Sequence, residues 1–391
     1  MPPRGEDGYE VALLDWLSCA AAGTAEPAAR AARAVGDGLV ERVAAAGAAG
    51  HALDYDDTYL PGVAHLSAAT APAALLVAAE QGLSASAALE AFAAGFEAMG
   101  ALSRASHPAL YDGGWHPTAV CGGTGAAVTS ARLLGLAPEE ERSAVALALT
   151  AAGGLRASFG SDGKPIQVGR AAAAGVAAAK LAAAGARAPL ERVAGGAAGY
   201  EEAFGAAFSA PTGTSRAIEE NWIKAYPCCL QTHGAIEAAL AVRAAGVGDA
   251  GEWPEGLEVA VHPLSLQAAP VKGPASGLEA KFSIPYLTAF ALLRGAPAPP
   301  DFARVDEGAA GLAADRITVW AEPRLAESEA VLSSGGRELA RVEVARGSPQ
   351  RPLDSDALLA KRRSLAGERL EGVLADTGVP AAELVAAAGL A

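Results

Sequence analysis

Hydrophobic residues recur at the spacing of an α-helix along most of the first 245 residues. In the segment 84–106, Leu89, Phe92, Phe96 and Met99 fall three or four positions apart, which places them on one face of a helix. A polar, glycine-containing loop is predicted at 160–169, directly before a long alanine-rich helix that ends near 184. The pattern and its proline punctuation predict further helices over 9–22, 28–46, 70–81, 84–106, 117–134, 138–152 and 233–245.

The pattern changes in character after residue 248. Segment 257–262 alternates between apolar and polar residues, and segment 317–321 is rich in β-branched and aromatic side chains, as is typical of strands. Segments 331–333 and 339–344 flank Ser334-Gly335-Gly336-Arg337, a sequence typical of a tight hairpin.

These patterns divide the chain into three parts. A helix predicted at 283–293 lies between the predicted strands, so the second part combines helix and sheet. The chain is therefore predicted to be mainly α. We expect a large all-helical domain at 1–248, a smaller α+β lid domain at 249–350, and C-terminal helices at 351–391 that pack back on the helical domain.

The composition indicates a large buried core. Of the 391 residues, 51% are hydrophobic and 19% are charged, which argues against disorder. Alanine, which has the highest helix propensity, supplies much of the apolar share. We therefore expect closely packed helices with small side chains where they meet.

Charge and cysteine usage exclude several classes of partner. A formal net charge of −14 argues against nucleic acid and anionic membranes as partners. It is compatible with a small anionic substrate, because a pocket can be locally basic. The apolar runs are short and flanked by charges, so they are predicted to be buried helices and not membrane spans. The four cysteines form no CxxC pair, and no signal peptide is predicted, so we expect reduced thiols, no structural zinc and a cytoplasmic location.

The segment from His51 to Thr58 concentrates polar chemistry in an apolar neighbourhood. It contains a histidine, three aspartates and a threonine in eight residues. Such groups are expensive to bury unless they are paired or used. Acidic residues near a helix N-terminus are one interpretation. A magnesium–diphosphate site is a second, although no second metal-binding motif occurs and aromatic residues make up only 5% of the chain. The third is carboxylate-assisted chemistry of His51, His65 and His116.

Further candidates occur where loops lead into predicted helices. His116 precedes Pro117 at a predicted helix N-terminus, a position that favours a nearby anion. Lys164 lies in the predicted loop 160–169, where its ammonium group could bind a carboxylate. Two later segments, Lys224–His233 and Lys281–Tyr286, carry lysines in a chain that has only six.

Taken in order, these segments resemble the MmgE/PrpD family, whose members include dehydratases, decarboxylases and epimerases of carboxylic acids. The most specific matches are His-Ala-Leu-Asp-Tyr-Asp-Asp-Thr from residue 51, Tyr-Pro-Cys-Cys from 226, and Lys-Phe-Ser-Ile-Pro-Tyr from 281. The resemblance implies a helical domain with a smaller α+β lid domain, a homodimer, a small carboxylic acid as substrate, and no metal or organic cofactor.

The same resemblance implies a set of site residues. Lys164 and Lys224 are expected to bind substrate carboxylates, His116 to be the principal acid/base group, and Asp54 to orient a histidine such as His65. Gln167 occupies a position where many family members have a histidine. The predicted catalytic residues are Asp54, His65, His116, Lys164 and Tyr286, and the predicted substrate-binding residues are Thr58, Gln167, Lys224, His233 and Lys281.

These residues leave the reaction open. A lyase that dehydrates or decarboxylates a di- or tricarboxylic acid, at a carbon next to a carboxylate, is the favoured interpretation. An epimerase of a similar acid would need the same residue types. A non-catalytic protein that binds a carboxylic acid is an alternative of another class.

Overall fold

The computed structural model describes residues 8–209, 216–247, 253–254, 256–367, 370 and 378–391. The chain forms two compact units. The first comprises Met1–Ser158, Asp162–Ile223 and Asp354–Ala391, and the second comprises Phe159–Ser161 and Lys224–Leu353. These limits reflect contacts within the chain. The domain limits at 248 and 350 rest on composition and stay a prediction.

The first unit is built almost entirely from helices. Two short strands, β1 (Thr58–Tyr59) and β2 (Asn221–Trp222), pair antiparallel, with Thr58 opposite Trp222. The helices are α1 (Gly8–Gly23), α2 (Pro27–Arg33), α3 (Leu39–Ala52), α4 (Leu66–Glu80), α5 (Ala85–Ser106), α6 (Ala109–Asp112), α7 (Pro117–Leu133), α8 (Pro138–Leu149), α9 (Gly163–Ala183), α10 (Leu190–Gly195), α11 (Tyr200–Phe204), α17 (Ser355–Ala366) and α18 (Ala381–Ala387).

Small residues allow the central helices of this unit to approach closely. A Cβ atom added at Gly169 of α9 would lie 2.0 Å from the carbonyl oxygen of Ala44 in α3. A Cβ atom added at Gly175, further along α9, would lie 2.4 Å from the carbonyl oxygen of Gly123 in α7. The expectation of small side chains at the helix contacts is therefore confirmed for α3, α7 and α9, the helices that position the site described below.

The second unit combines helices with a mixed sheet. The sheet order is β4-β3-β5-β6, in which β3 and β4 are parallel and the other neighbours are antiparallel. Gly335 and Gly336 join β5 to β6 with φ angles of 55° and 77°, so the predicted hairpin is confirmed. The elements are α12 (His233–Ala244), β3 (Leu257–Val261), α13 (Pro263–Ala268), α14 (Gly277–Ala280), α15 (Ile284–Arg294), α16 (Glu307–Arg316), β4 (Ile317–Ala321), β5 (Ala330–Ser334) and β6 (Arg337–Val342).

The predicted fold class, mainly α with a smaller α+β part, is confirmed. Among the described residues, no helix combines the length and apolarity needed to cross a membrane.

Three predicted boundaries are wrong for local reasons. The helix predicted over 28–46 is two helices, because the backbone is extended at Gly38, the N-cap of α3. Helix α9 begins at Gly163, so Lys164 lies in a helical turn and not in the predicted loop. Pro165 is compatible with this start because the first turn has no internal acceptor for its N–H groups. Helix α4 begins at Leu66 and not at 70, since the carboxylate of Asp57 accepts the N–H of Ser67 at 3.3 Å.

Candidate active site

The His51–Thr58 segment turns sharply between α3 and β1. His51 lies in the last turn of α3, and the chain leaves the helix through Asp54, whose φ of 52° is left-handed. Aspartate tolerates this conformation better than most residues because its short side chain can bond locally. All three aspartates of the segment are buried, and Thr58 is held in β1.

Asp56 is shared by two histidines. Its Oδ2 lies 2.8 Å from Nδ1 of His51 and 3.4 Å from Nδ1 of His65, and the two rings meet edge to face with centroids 4.5 Å apart. Burial opposes ionisation of Asp56, but its ion pairs and hydrogen bonds with both histidines outweigh burial and hold its pKa well below the usual range. Burial lowers the pKa of His51, and Asp56 only partly opposes that effect.

His116 adds a third buried ring. It is the N-cap of α7, and its ring lies nearly parallel to that of His51, with centroids 6.0 Å apart. Its Nδ1 lies 2.7 Å from Nε2 of Gln167 in α9. Burial, reinforced by the positive charge of Lys164, holds the pKa of His116 well below its ordinary value. We call His51, Asp56, His65 and His116 the histidine cluster.

Lys164 and Asp54 form a buried ion pair beside the histidine cluster. Lys164 Nζ lies 2.8 Å from Asp54 Oδ1, and the two side chains are 6% and 4% exposed. The first turn of α9 supplies the lysine and the turn after α3 supplies the aspartate. The ammonium group predicted to bind substrate is thus already placed in a buried, polar position.

Two hydroxyl groups contact His65. Thr58 Oγ1 lies 3.5 Å from Nδ1 of His65, and Thr118 Oγ1 in α7 accepts the backbone N–H of His65 at 3.1 Å.

Asp57 lies in a different environment from Asp56, because its Oδ2 accepts a hydrogen bond from the side-chain amide of Asn221 at 2.8 Å. Burial, reinforced by the neighbouring charge of Asp56, raises the pKa of Asp57 to about 8.

The structure brings six of the predicted residues together in the first unit: Asp54, Thr58, His65, His116, Lys164 and Gln167. The other four belong to the second unit, and their participation stays a prediction. Lys224 and His233 are buried, and the ring of His233 lies 5.1 Å from that of Tyr226. Lys281 Nζ lies 5.4 Å from the centre of the Phe302 ring.

Tyr286 is buried in the core of the second unit. Its hydroxyl oxygen accepts the backbone N–H of Asp306 at 3.0 Å, and its ring lies 6.2 Å from that of Phe290. Burial raises the pKa of this hydroxyl. The contact explains a structural role for Tyr286, and the predicted catalytic role stays a prediction.

The final set of predicted catalytic and substrate-binding residues omits two members of the histidine cluster, Asp56 and His51, although His51 was a candidate for carboxylate-assisted chemistry. Both lie inside the His51–Thr58 segment, which the sequence already marks as a polar segment in an apolar context. Their pairing depends on the left-handed turn at Asp54, which folds the segment back toward the end of α3. The signal available in the sequence was Asp56 itself, an aspartate two positions after Asp54 and five after His51.

Within the part of the chain that the structure describes, one group of side chains has the residue types of a metal site. His51, Asp54, Asp56 and His65 each offer one ligand atom, and these atoms lie within 4.8 Å of one another. However, Asp54 already binds the ammonium group of Lys164, and the Nδ1 atoms of both histidines face Asp56. A divalent cation would have to displace an ammonium group, so we interpret this group as paired charges.

Comparison with known proteins defines the class to which this fold and site belong. Residues 40–212 match the MmgE/PrpD N-terminal domain, and residues 226–377 match the MmgE/PrpD C-terminal domain. The chain belongs to the MmgE/PrpD family, which confirms the resemblance inferred from its motifs.

Two curated relatives carry the name cis-aconitate decarboxylase. The Homo sapiens protein is 28% identical over 275 residues, covering 66% of this chain and 56% of that protein. The Mus musculus protein is 30% identical over 214 residues, covering 50% of this chain and 42% of that protein. The chain therefore spans about half the length of the curated relatives that it matches.

Proposed function

We propose that this protein is a lyase that dehydrates or decarboxylates a di- or tricarboxylic acid at a carbon next to a carboxylate. The observation that carries the proposal is the histidine cluster, in which Asp56 faces two histidines while the Lys164–Asp54 ion pair lies beside them. The relatives named cis-aconitate decarboxylase support a decarboxylation of this kind.

The chemistry of such a reaction matches the residue types in the cluster. Loss of CO₂ or of a proton next to a carboxylate leaves negative charge on carbon, and that charge must be stabilised. Lys164 can bind a carboxylate, and a buried histidine can carry the proton to or from carbon. Thr58, beside His65, can donate a hydrogen bond to the substrate.

We propose no role for a metal or an organic cofactor in this reaction, and we keep the homodimer as part of the proposal. The predicted contributions of Lys224, His233, Lys281 and Tyr286 also belong to the proposal. Epimerisation of a similar acid remains the second candidate, since it needs two proton-transfer groups and the histidine cluster contains three imidazoles.

One NMR experiment separates these reactions. The protein is incubated in D₂O with citrate, methylcitrate, aconitate or iminodisuccinate-like acids. A decarboxylase gives a product with one carboxylate fewer and deuterium at the reacting carbon. A dehydratase gives an alkene, and an epimerase gives deuterated epimer. A binding protein converts none of the acids and incorporates no deuterium into any of them, and that result would refute the proposal.

The variant His116→Ala tests the site. We expect its turnover to fall by about 10²-fold or more, because losing one positioned proton-transfer group or one donor to the developing charge typically costs about that much. His262→Asn is the matched control, because His262 is not among the proposed site residues and its Nδ1 accepts the N–H of Leu264 at the start of α13. Asparagine can cap a helix in the same way. Equal turnover of both variants would contradict the placement of the site.

A further inference from the structure

The side-chain amide of Gln167 has only one orientation that satisfies its neighbours. Its Oε1 accepts the backbone N–H of Leu155 at 2.9 Å, and its Nε2 lies 3.2 Å from the carbonyl oxygen of the same residue and 2.9 Å from Oγ of Ser158. A backbone N–H can only donate and a carbonyl can only accept. Rotating the amide by 180° would place its NH₂ group against the N–H of Leu155 and its oxygen against the carbonyl oxygen of Leu155, so Leu155 fixes which end of Gln167 is the NH₂ group.

That orientation determines the tautomer of His116. The NH₂ group of Gln167 lies 2.7 Å from Nδ1 of His116. An amide NH₂ group can donate hydrogen bonds but cannot accept them. Nδ1 of His116 must therefore accept, and it cannot carry a proton. In a neutral imidazole the proton then belongs on Nε2. Protonation to an imidazolium would require a second proton on Nδ1, directly opposed to the Gln167 donor.

Asp56 imposes the opposite tautomer on His51. Both carboxylate oxygens of Asp56 face Nδ1 of His51, at 3.1 and 2.8 Å, so Nδ1 donates and carries the proton. Nε2 of His51 is then a lone pair. It is buried and has no hydrogen-bond partner among the residues that the structure describes. A proton added at Nε2 would give an imidazolium still paired with Asp56, and this pairing offsets part of the cost of charging a buried ring.

We infer that Gln167 and Asp56 give the two stacked histidines different roles. Gln167 keeps His116 as a neutral Nε2–H hydrogen-bond donor, and Asp56 allows His51 to exchange the proton with substrate through Nε2. The inference rests on the proposed function. In the forward step of a proton removal, the C–H bond breaks, its electron pair stays on carbon, and the proton forms the Nε2–H bond of His51. His116 meanwhile donates to an oxygen of the neighbouring carboxylate, where the charge develops. Gln167 is a positioning residue in this scheme.

The tautomers can be read directly, without substrate. The protein contains six histidines, so selective ¹⁵N-histidine labelling and long-range ¹H–¹⁵N correlation give few signals. His51→Gln and His116→Asn assign them. We expect His116 in the Nε2–H pattern and His51 in the Nδ1–H pattern at pH 7. His116 found as Nδ1–H, or as imidazolium, would overturn the inference.

A pair of substitutions at Gln167 tests its positioning role. In Gln167→Glu, one carboxylate oxygen can keep the Leu155 N–H while the other faces His116 and demands a donor there. We expect the His116 pattern to change to Nδ1–H or imidazolium, with a fall in kcat of about 10²-fold. Gln167→Met, the matched control of similar size, removes the donor without imposing an acceptor, and should give mixed tautomers and a smaller fall. An unchanged pattern and unchanged kcat in Gln167→Glu would refute the inference.

His51→Gln tests the proton-exchange role itself. Glutamine can still donate to Asp56 but cannot take up a proton. We expect deuterium incorporation into the substrate to fall below one hundredth of the parent rate, about the contribution of a positioned base. Incorporation at the parent rate would overturn this assignment. Because the tautomers are measured without substrate, failure of every acid to react would refute the proposed function while the NMR patterns still decide the roles of Gln167 and Asp56.

Discussion

Removing the ammonium group of Lys164 should destabilise the protein as well as inactivate it. In Lys164→Met, Asp54 keeps its place with a side chain only 4% exposed but loses the charge 2.8 Å away. Removing one partner of a buried pair typically costs about 3–5 kcal/mol of unfolding free energy, because the remaining charge is uncompensated. That is a large fraction of the roughly 5–15 kcal/mol that stabilises a typical domain.

A double-mutant cycle separates this loss from catalysis. Asp54→Asn removes the carboxylate that lies 2.8 Å from Lys164 Nζ, and asparagine also tolerates the left-handed φ of 52° at this position, so the backbone is not strained further. The double variant carries neither charge. We expect it to be more stable than the sum of the two single losses predicts, by about 1–3 kcal/mol. It should nevertheless remain inactive, because the ammonium group of Lys164 that is proposed to bind a substrate carboxylate is absent.

The measurement combines urea unfolding, followed by fluorescence of the five tryptophans, with deuterium incorporation on the reactive acid. Asp37→Asn is the control, because it breaks the exposed ion pair with Arg33 and should change stability by less than about 1 kcal/mol. Two results would refute the reasoning. One is a Lys164→Met variant as stable as the parent, and the other is a double variant whose loss equals the sum of the single losses.

Three further predictions address protonation, packing and metal dependence. The pKa of Asp57, raised to about 8, means that stability is lost as pH rises from about 4 through 8, since only the folded state still binds the proton. In denaturant titrations, the unfolding free energy of Asp57→Asn relative to the parent should therefore increase by about 1.4 kcal/mol per pH unit over this range. Parallel plots of unfolding free energy against pH for the two proteins would contradict this. Gly169→Ala should lower stability because its Cβ would meet the carbonyl of Ala44, whereas Gly311→Ala, in an open part of α16, should raise it by about 0.5–1 kcal/mol. Dialysis against EDTA should leave turnover unchanged, and activity restored only by added Mg²⁺ or Zn²⁺ would show that this expectation is wrong.

The helices were predictable where their signals are local. Apolar spacing identifies α5, and Pro117 and Pro138 mark the starts of α7 and α8. The break between α2 and α3 was missed because alanine-rich sequence on both sides of Gly38 has the same helical pattern. The early start of α4 depends on the side chain of Asp57, which reaches Ser67 from ten residues away along the chain.

The chemistry of the site was predictable in type but not in pairing. The His51–Thr58 segment is conspicuous in the sequence because it is polar in an apolar context. Nothing local indicates that Asp54 pairs with Lys164, which follows 110 residues later. Similarly, the role of Gln167 depends on the backbone of Leu155, because that backbone fixes which end of the amide meets His116. Such pairings require the packing of α3, α7 and α9.

The charges of the segment explain why a histidine here can exchange a proton. Asp54 is balanced by Lys164, and Asp57, with a pKa of about 8, is largely protonated at neutral pH. The charge of Asp56 faces the histidines, and its low pKa keeps it ionised throughout. A proton that reaches His51 therefore completes an ion pair in a buried site, whereas a proton on Nδ1 of His116 would oppose the Gln167 donor. The same buried environment thus opposes positive charge on both rings, but less strongly on His51, which faces Asp56, than on His116.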